Sequence, residues 1–242
     1  MSVTTKKIPM GSSSVQVITA IVSCVISCCV VVILLAVLLP IGIINSQAPD
    51  GCTSTNTLKT LHLGDVITMK KDFFVGRFTV SLKDGSSSGN GTDLARVKYR
   101  SWSVPYRIDL MNMDEKGSAE ARGSVFSLGQ QVSFYQCQND TDIPWIKTGR
   151  ISQDFTILLR SYKLYDKDDT LIATAQENFD WTTSINVFKA ENGTATSQVI
   201  ASLKGLAFQA TETWEITIKS EIPSYDYRQL VFLVSIISYN KN

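Results

Sequence analysis

The chain has very little of what most enzymes use. It holds a single histidine, His62, which argues against histidine-based metal centres and catalytic triads. No G-x-S-x-G, P-loop, H-E-x-x-H or C-x-x-C motif is present, so the common hydrolase, nucleotide and zinc signatures are missing. Charge excess is missing too. There are 23 basic residues against 22 acidic ones, which gives no global reason to expect a nucleic-acid partner. No catalytic residue, cofactor or metal ligand is therefore assigned, and the chain is read as a non-enzyme.

One absence is local and more informative. Residues 11–49 contain no Asp, Glu, Lys or Arg. Their centre, residues 17–44, is almost wholly apolar. A helix needs about 20 such residues to cross the hydrocarbon core, whereas the apolar part of a cleaved signal peptide spans only about 7–15. The run predicts an uncleaved signal anchor over 15–45, in contact with a lipid bilayer. Lys6 and Lys7 precede it, and the next basic residue is Lys59. The positive-inside rule then leaves residues 1–14 in the cytosol and sends the rest to the extracellular or luminal side. The expected product is a type II single-pass glycoprotein of the plasma membrane or secretory pathway. Its domains are a tail (1–14), the anchor (15–45), a linker (46–59) and a body (60–242).

The body's motifs agree with that side of the membrane. Three N-x-[ST] sequons, at Asn90, Asn139 and Asn192, lie in the body and none in the tail, and these asparagines are the expected N-glycosylation sites. Cys24, Cys28 and Cys29 fall inside the apolar run, as packing residues or as palmitoylation sites. Only Cys52 and Cys137 lie outside it. Two cysteines in an oxidising compartment make one bridge, so a Cys52–Cys137 disulfide is expected, with two free thiols as the alternative. Ser23 and Ser27 form a small-x-x-x-small pair that allows close helix approach and self-association in the membrane.

The body reads as β. Runs at 73–82, 124–137, 155–165, 181–190 and 213–220 are rich in β-branched and aromatic residues, and most alternate apolar with polar. Asp84-Gly85, Asn90-Gly91 and Asn192-Gly193 separate them with hairpin-turn chemistry. A weak repeat of cluster, break, alternating strand and turn points to an antiparallel meander that closes into a barrel, because closure removes exposed edges. An open sandwich is the alternative. The stretch "YKLYDKDDT" (162–170) raises the question of a calcium loop. Counted from Asp166 it has oxygen ligands at several EF-hand positions, but Leu171 stands where glycine is needed and both flanks read as strands. The aspartates are read as a hairpin turn. Asp114, Glu115 and Glu120 are read as part of a solvated loop. The last apolar run, 230–237, is too short to span a bilayer, and periodicity alone allows either a buried strand or a buried helix.

The stretches "YKLYDKDDTLIATAQENF", "SINVFKAENG" and "YDYRQLVFLVSIISYN" together resemble the tubby-like superfamily, in its LURP-one-related and phospholipid-scramblase branch. The resemblance covers about 60–242. It implies a 12-stranded β-barrel around a buried hydrophobic C-terminal helix, which would make 230–237 that helix. It also raises phosphoinositide binding by basic residues of the barrel; the matching candidates are Lys70, Lys71, Arg77, Arg96, Lys98 and Arg100. Those lipids face the cytosol and this body is expected on the other side. Arg96, Lys98 and Arg100 share one strand face, which a plain solvent face explains equally well. The four tryptophans, Trp102, Trp145, Trp181 and Trp214, are expected to pack the barrel wall. The expected role is that of a binding or assembly module with a protein partner or a second copy of itself, and a lipid-binding or scramblase-like protein is the alternative.

Overall fold

The structure is a computed structural model that describes residues 22–23, 26–27, 29, 49, 51–54, 58, 61–72, 77–83, 91–100, 106–123, 131–138, 145–154, 160–177, 183–206, 211–221 and 225–239. The chain divides into two compact units, Met1–Ile44 and Asn45–Asn242. In the first, Val22, Ser23, Ile26, Ser27 and Cys29 are helical and exposed. The rest of the expected anchor lies outside the described residues. Among the described residues no helix is long and apolar enough to cross a membrane.

The second unit is a closed antiparallel barrel of twelve strands. They are β1 (Val66–Lys71), β2 (Arg77–Leu82), β3 (Thr92–Arg100), β4 (Arg107–Met111), β5 (Gly117–Gly123), β6 (Gln131–Cys137), β7 (Trp145–Asp154), β8 (Ser161–Asp166), β9 (Leu171–Glu177), β10 (Ser184–Glu191), β11 (Thr194–Leu206) and β12 (Thr213–Ile218). Each strand pairs with its neighbours in sequence, and β1 pairs with β12 to close the ring. No edge is left to pair with another chain. The alternation in the sequence is read out directly: Phe78 and Val80 of β2, Tyr162 and Leu164 of β8, and Ile185 and Val187 of β10 are buried at every second position.

The interior is filled by the C-terminal helix α1 (Arg228–Tyr239), as the resemblance implied. Every residue from Arg228 to Ser238 is buried. A helix that is apolar all round has no solvent face to offer, so the barrel core is where it can sit. Asp226 starts it, accepting the backbone N–H of Arg228 on Oδ1 at 3.1 Å. Small inward residues leave room for it. Ala95, Ala119, Ala121, Ala173, Ala175 and Ala201 are all buried on the strands. At Gly149 a Cβ would lie 2.9 Å from Gln229 Nε2 and 2.3 Å from the Tyr165 carbonyl oxygen. Phe134 of β6 stacks on Phe232 of α1 with ring centres 5.2 Å apart. Tyr99 of β3 donates to the Ser235 carbonyl at 2.7 Å.

Two sequence expectations are corrected here. Glu120 is not in a solvated loop: the segment from Gly117 to Gly123 is β5, and Glu120 is 1% exposed. The basic face of β3 is not a plain solvent face either, since Lys98 and Arg100 are 6% and 7% exposed. The cause in both cases is a shared ion network.

Candidate functional site

That network lies on the outer face of β3, β4 and β5. Ala95, Val97 and Tyr99 point inward, so Arg96, Lys98 and Arg100 point out. Register places Lys98 opposite Asp109, Asp109 opposite Glu120, and Arg100 and Arg122 on either side of Arg107. Arg100 donates from Nη2 to Asp109 Oδ1 at 2.8 Å and to Glu120 Oε2 at 2.9 Å. Arg122 pairs with Glu120 and lays its guanidinium over the Tyr135 ring, 4.2 Å from its centre. Burial, only partly offset by the attraction of Arg100, pushes the Asp109 carboxyl up to about 6. Burial and the neighbouring Arg77 push the Lys98 ammonium down. Beside this network, Arg77 and Arg96 both donate to Glu115, at 3.3 and 2.9 Å. The arrangement ties three strands in register and sets Arg77, Arg96 and Arg100 against carboxylates.

The two ends of α1 hold the other polar clusters. At its start, Arg228 donates to Asp226 from Nε at 2.8 Å and from Nη2 at 2.5 Å, and from Nη2 to Gln136 Oε1 at 2.9 Å. Arg228 also lines a recess of about 10 Å³ with Leu58, Leu110 and Ser118. That is room for about one water. At the other end Glu212 collects three donors: Trp214 Nε1 at 2.9 Å, Lys71 Nζ at 3.0 Å and Ser238 Oγ at 2.8 Å. Burial raises its carboxyl, but these three hydrogen bonds together outweigh that and hold it below its ordinary value. Tyr239 is stacked between Tyr99 and Tyr106, with ring centres 5.8 and 5.3 Å away.

The chain enters the barrel at the end where α1 starts. Cys52 is bonded to Cys137, with Cα atoms 5.7 Å apart, as expected from the cysteine count. Cys52 also forms a parallel bridge to Gly117. Thr53 N–H donates to the Gly117 carbonyl at 2.8 Å, and Gly117 N–H to the Gly51 carbonyl at 3.1 Å. At Gly117 an added Cβ would lie 3.3 Å from both the Pro49 and the Trp145 side chain, a tight fit. The described part of 46–59 is thus fastened to β5 and β6.

The remaining candidates fall into place individually. Asp166 Oδ1 accepts the N–H groups of Asp168 and Thr170 at 2.9 and 2.8 Å, which makes a hairpin turn between β8 and β9. Asp169, at φ 58°, accepts from Arg150 Nε at 2.7 Å. Among the described residues no group of three or more His, Cys, Asp or Glu side chains is placed to hold a metal ion. Asn192 and Gly193 have φ of 51° and 76° and form the exposed tip between β10 and β11. Asn90 and Asn139 lie outside the described residues. His62 is exposed, 3.4 Å from Glu221. Trp214 is buried in the wall, Trp145 packs at the entry end, and Trp102 and Trp181 lie outside the described residues. Sequence reasoning missed Asp109, Glu212 and Arg228. The one signal for Arg228 was its place at the head of an apolar run after Asp226.

No family model matches the chain. No curated protein matches it either. A solved structure does: the X-ray structure of the Arabidopsis thaliana protein AT5G01750, 11% identical, covering 78% of this chain and 100% of its own, with a TM-score of 0.50. At that identity the likeness carries the barrel fold alone.

Proposed function

We propose that the protein is a membrane-anchored, glycosylated, extracytosolic barrel of the tubby-like, LURP-one-related type that acts by binding or assembly rather than by catalysis. The observation that carries the reading is the filled interior. Residues 230–237 are at most 2% exposed, so the barrel has α1 where a lipid- or ligand-binding barrel has a cavity. Recognition then falls to the outer surface and the loops, with a protein partner or a second copy as the expected occupant. The charge-free stretch 11–49 and the lysines before it support the anchor and its orientation. The disulfide Cys52–Cys137 suits an oxidising compartment.

Lipid-headgroup binding, in a scramblase-like protein, is the second reading, and the basic excess on the outer wall of β2 to β5 is what favours it. That wall is largely engaged already: Arg77 and Arg96 with Glu115, and Arg100 with Asp109 and Glu120. A glycosidase mobility shift on the full chain from a eukaryotic cell separates the readings, with Asn90, Asn139 and Asn192 changed singly to Gln. A shift that tracks these residues is expected. No shift in any variant removes the extracytosolic placement and makes the basic wall the leading candidate.

A further inference from the structure

Strand register lines up a row of arginines on the outer wall. Arg107 of β4 lies opposite Arg122 of β5, Arg122 opposite Ser133 of β6, and Ser133 opposite Arg150 of β7. Residues directly opposite in a sheet share a face. Their neighbours Ile108, Ala121, Val132 and Ile151 take the inner face, so all four of the row point outward. With strands about 4.8 Å apart, the row is about 14 Å long. Arg100 continues it on β3 but is buried against Asp109 and Glu120.

Two of these guanidiniums are held in place. Arg122 lies over the Tyr135 ring, 4.2 Å from its centre, and Arg150 over the Tyr165 ring at 3.7 Å. Each also donates from Nε, Arg122 to Glu120 and Arg150 to Asp169. Among the described residues, neither makes a hydrogen bond through its Nη atoms, and Arg107 approaches only Glu120, at 3.8 Å. Stacking and the Nε bond remove freedom that a long side chain otherwise loses on binding, and the rest of the planar fork stays open to an anion. Ser133 sets a short hydroxyl side chain between the two stacked pairs. Lys147, opposite Tyr135, adds a fourth cation. The carboxylates paired with these four are Glu120, which is buried and shared with Arg100, and Asp169. Arg107, Arg122, Lys147 and Arg150 against Glu120 and Asp169 is a local excess in a chain of net charge +1.

We infer that Arg107, Arg122, Ser133 and Arg150 bind a linear sulfated polysaccharide, laid across β4 to β7 with its sulfates on the stacked guanidiniums. The cations stand in a line along a barrel's outer wall and do not converge on one point. That arrangement matches an extended chain whose anionic groups recur along its length, and not a single phosphate or headgroup. The fork of arginine suits the paired oxygens of a sulfate. The choice of a sulfated sugar among polyanions rests on the extracytosolic reading above, because such chains belong to that side of the membrane.

The test is a calorimetric titration of the full-length protein in detergent with a heparin hexasaccharide at about 0.15 M salt, where weak surface attraction is screened. Arg107→Gln with Arg150→Gln is expected to weaken binding about tenfold or more. Arg150→Lys alone is expected to weaken it severalfold, because lysine keeps the charge but has no planar fork to stack; it carries the test should the double variant unfold. Lys204→Gln with Lys219→Gln removes two exposed charges from the far side of the ring and is expected to change affinity by less than about twofold. No binding by the native chain, equal loss in the two double variants, or an Arg150→Lys protein as tight as native overturns the inference. So does binding to vesicles of anionic phospholipid with none to the hexasaccharide. The intact mass of the same sample shows whether sugar is attached, so a failure of the extracytosolic reading is seen apart from a failure of the site.

Discussion

The wall formed by β3, β4 and β5 has two faces that are nearly equally closed to solvent and opposite in chemistry. Inward, Val97, Ile108, Leu110 and Ala121 pack against an apolar helix. Outward, Lys98, Arg100, Asp109 and Glu120 are as buried, and they meet one another. The inner face is held by area removed from water and by close packing, which are non-directional. The outer face depends on geometry, because the desolvation of each charge must be matched by a partner. Burial by itself therefore says nothing about what kind of substitution a site tolerates.

The sharpest way to break this comparison is to delete one group from each face. Phe232→Ala removes the ring stacked on Phe134 and is expected to cost about 3–5 kcal/mol. Arg100→Ala leaves two buried carboxylates short of a cation and is expected to cost a similar ~3–5 kcal/mol. The faces part company in the repair. Replacing Lys98, Arg100, Asp109 and Glu120 together with Met, Met, Leu and Leu is expected to recover most of the loss, since apolar residues of like volume fill a site from which the buried charges are gone. Urea unfolding midpoints of the full chain decide it. A quadruple variant no better than Arg100→Ala would mean that the network is required for the fold itself.

Next in size is the disulfide. Cys52→Ser with Cys137→Ser opens a link across 85 residues, with an expected loss of about 2–4 kcal/mol. Neither face of the wall is touched, so amide exchange is expected to speed up first at Thr53 and Gly117, whose N–H groups make the hydrogen bonds that flank the bridge. Uniform acceleration over the whole barrel would make the bond a support of the core rather than a fastening of the entry segment.

The third test sets one carboxyl of the ionic face against one at the end of α1. Asp109 has its carboxyl raised to about 6, so between the unfolded value of 3.8 and that point the folded state binds more protons than the unfolded one. Its contribution to stability is thus full below 3.8 and is lost as pH rises through 6. Glu212 is shifted the other way, and its contribution is present above the ordinary carboxylate range and lost as pH falls. A carboxyl carbon NMR titration of Asp109 with a midpoint near 4 would show that Arg100 compensates its burial in full.

How much of this was legible beforehand follows the same division. The inner face was readable: alternation marked Phe78, Val80, Tyr162 and Leu164, and turn chemistry placed the hairpin at Asp166 and the tip at Asn192. Residues 230–237 were not assignable from periodicity, because an unbroken apolar run fits a strand and a helix alike, and the resemblance decided it. The outer network was hidden for a physical reason. A period of two says that Arg96, Lys98 and Arg100 share a face, but not whether that face is covered. Their partners Asp109 and Glu120 come from other strands, 9 and 20 residues beyond Arg100. The "GSAEARG" of β5 has no β-branched or aromatic residue, so only its pairing makes it a strand.

The smallest effect is expected where neither kind of burial operates. At the β10–β11 tip, Gly193 has φ 76° and an added Cβ would meet nothing within 4 Å. Gly193→Ala thus changes no packing and no charge, and what remains is the cost of holding an L-residue in the left-handed region, about 1–2 kcal/mol. Asn192, at φ 51°, is in the same region but tolerates it better, because its short polar side chain bonds locally. Asn192→Ala is therefore expected to cost less than Gly193→Ala in protein without glycans, read as the difference between two unfolding midpoints. A Gly193→Ala cost approaching that of Phe232→Ala would mean that the tip is not free, and that something packs against it which the open space around Gly193 does not show.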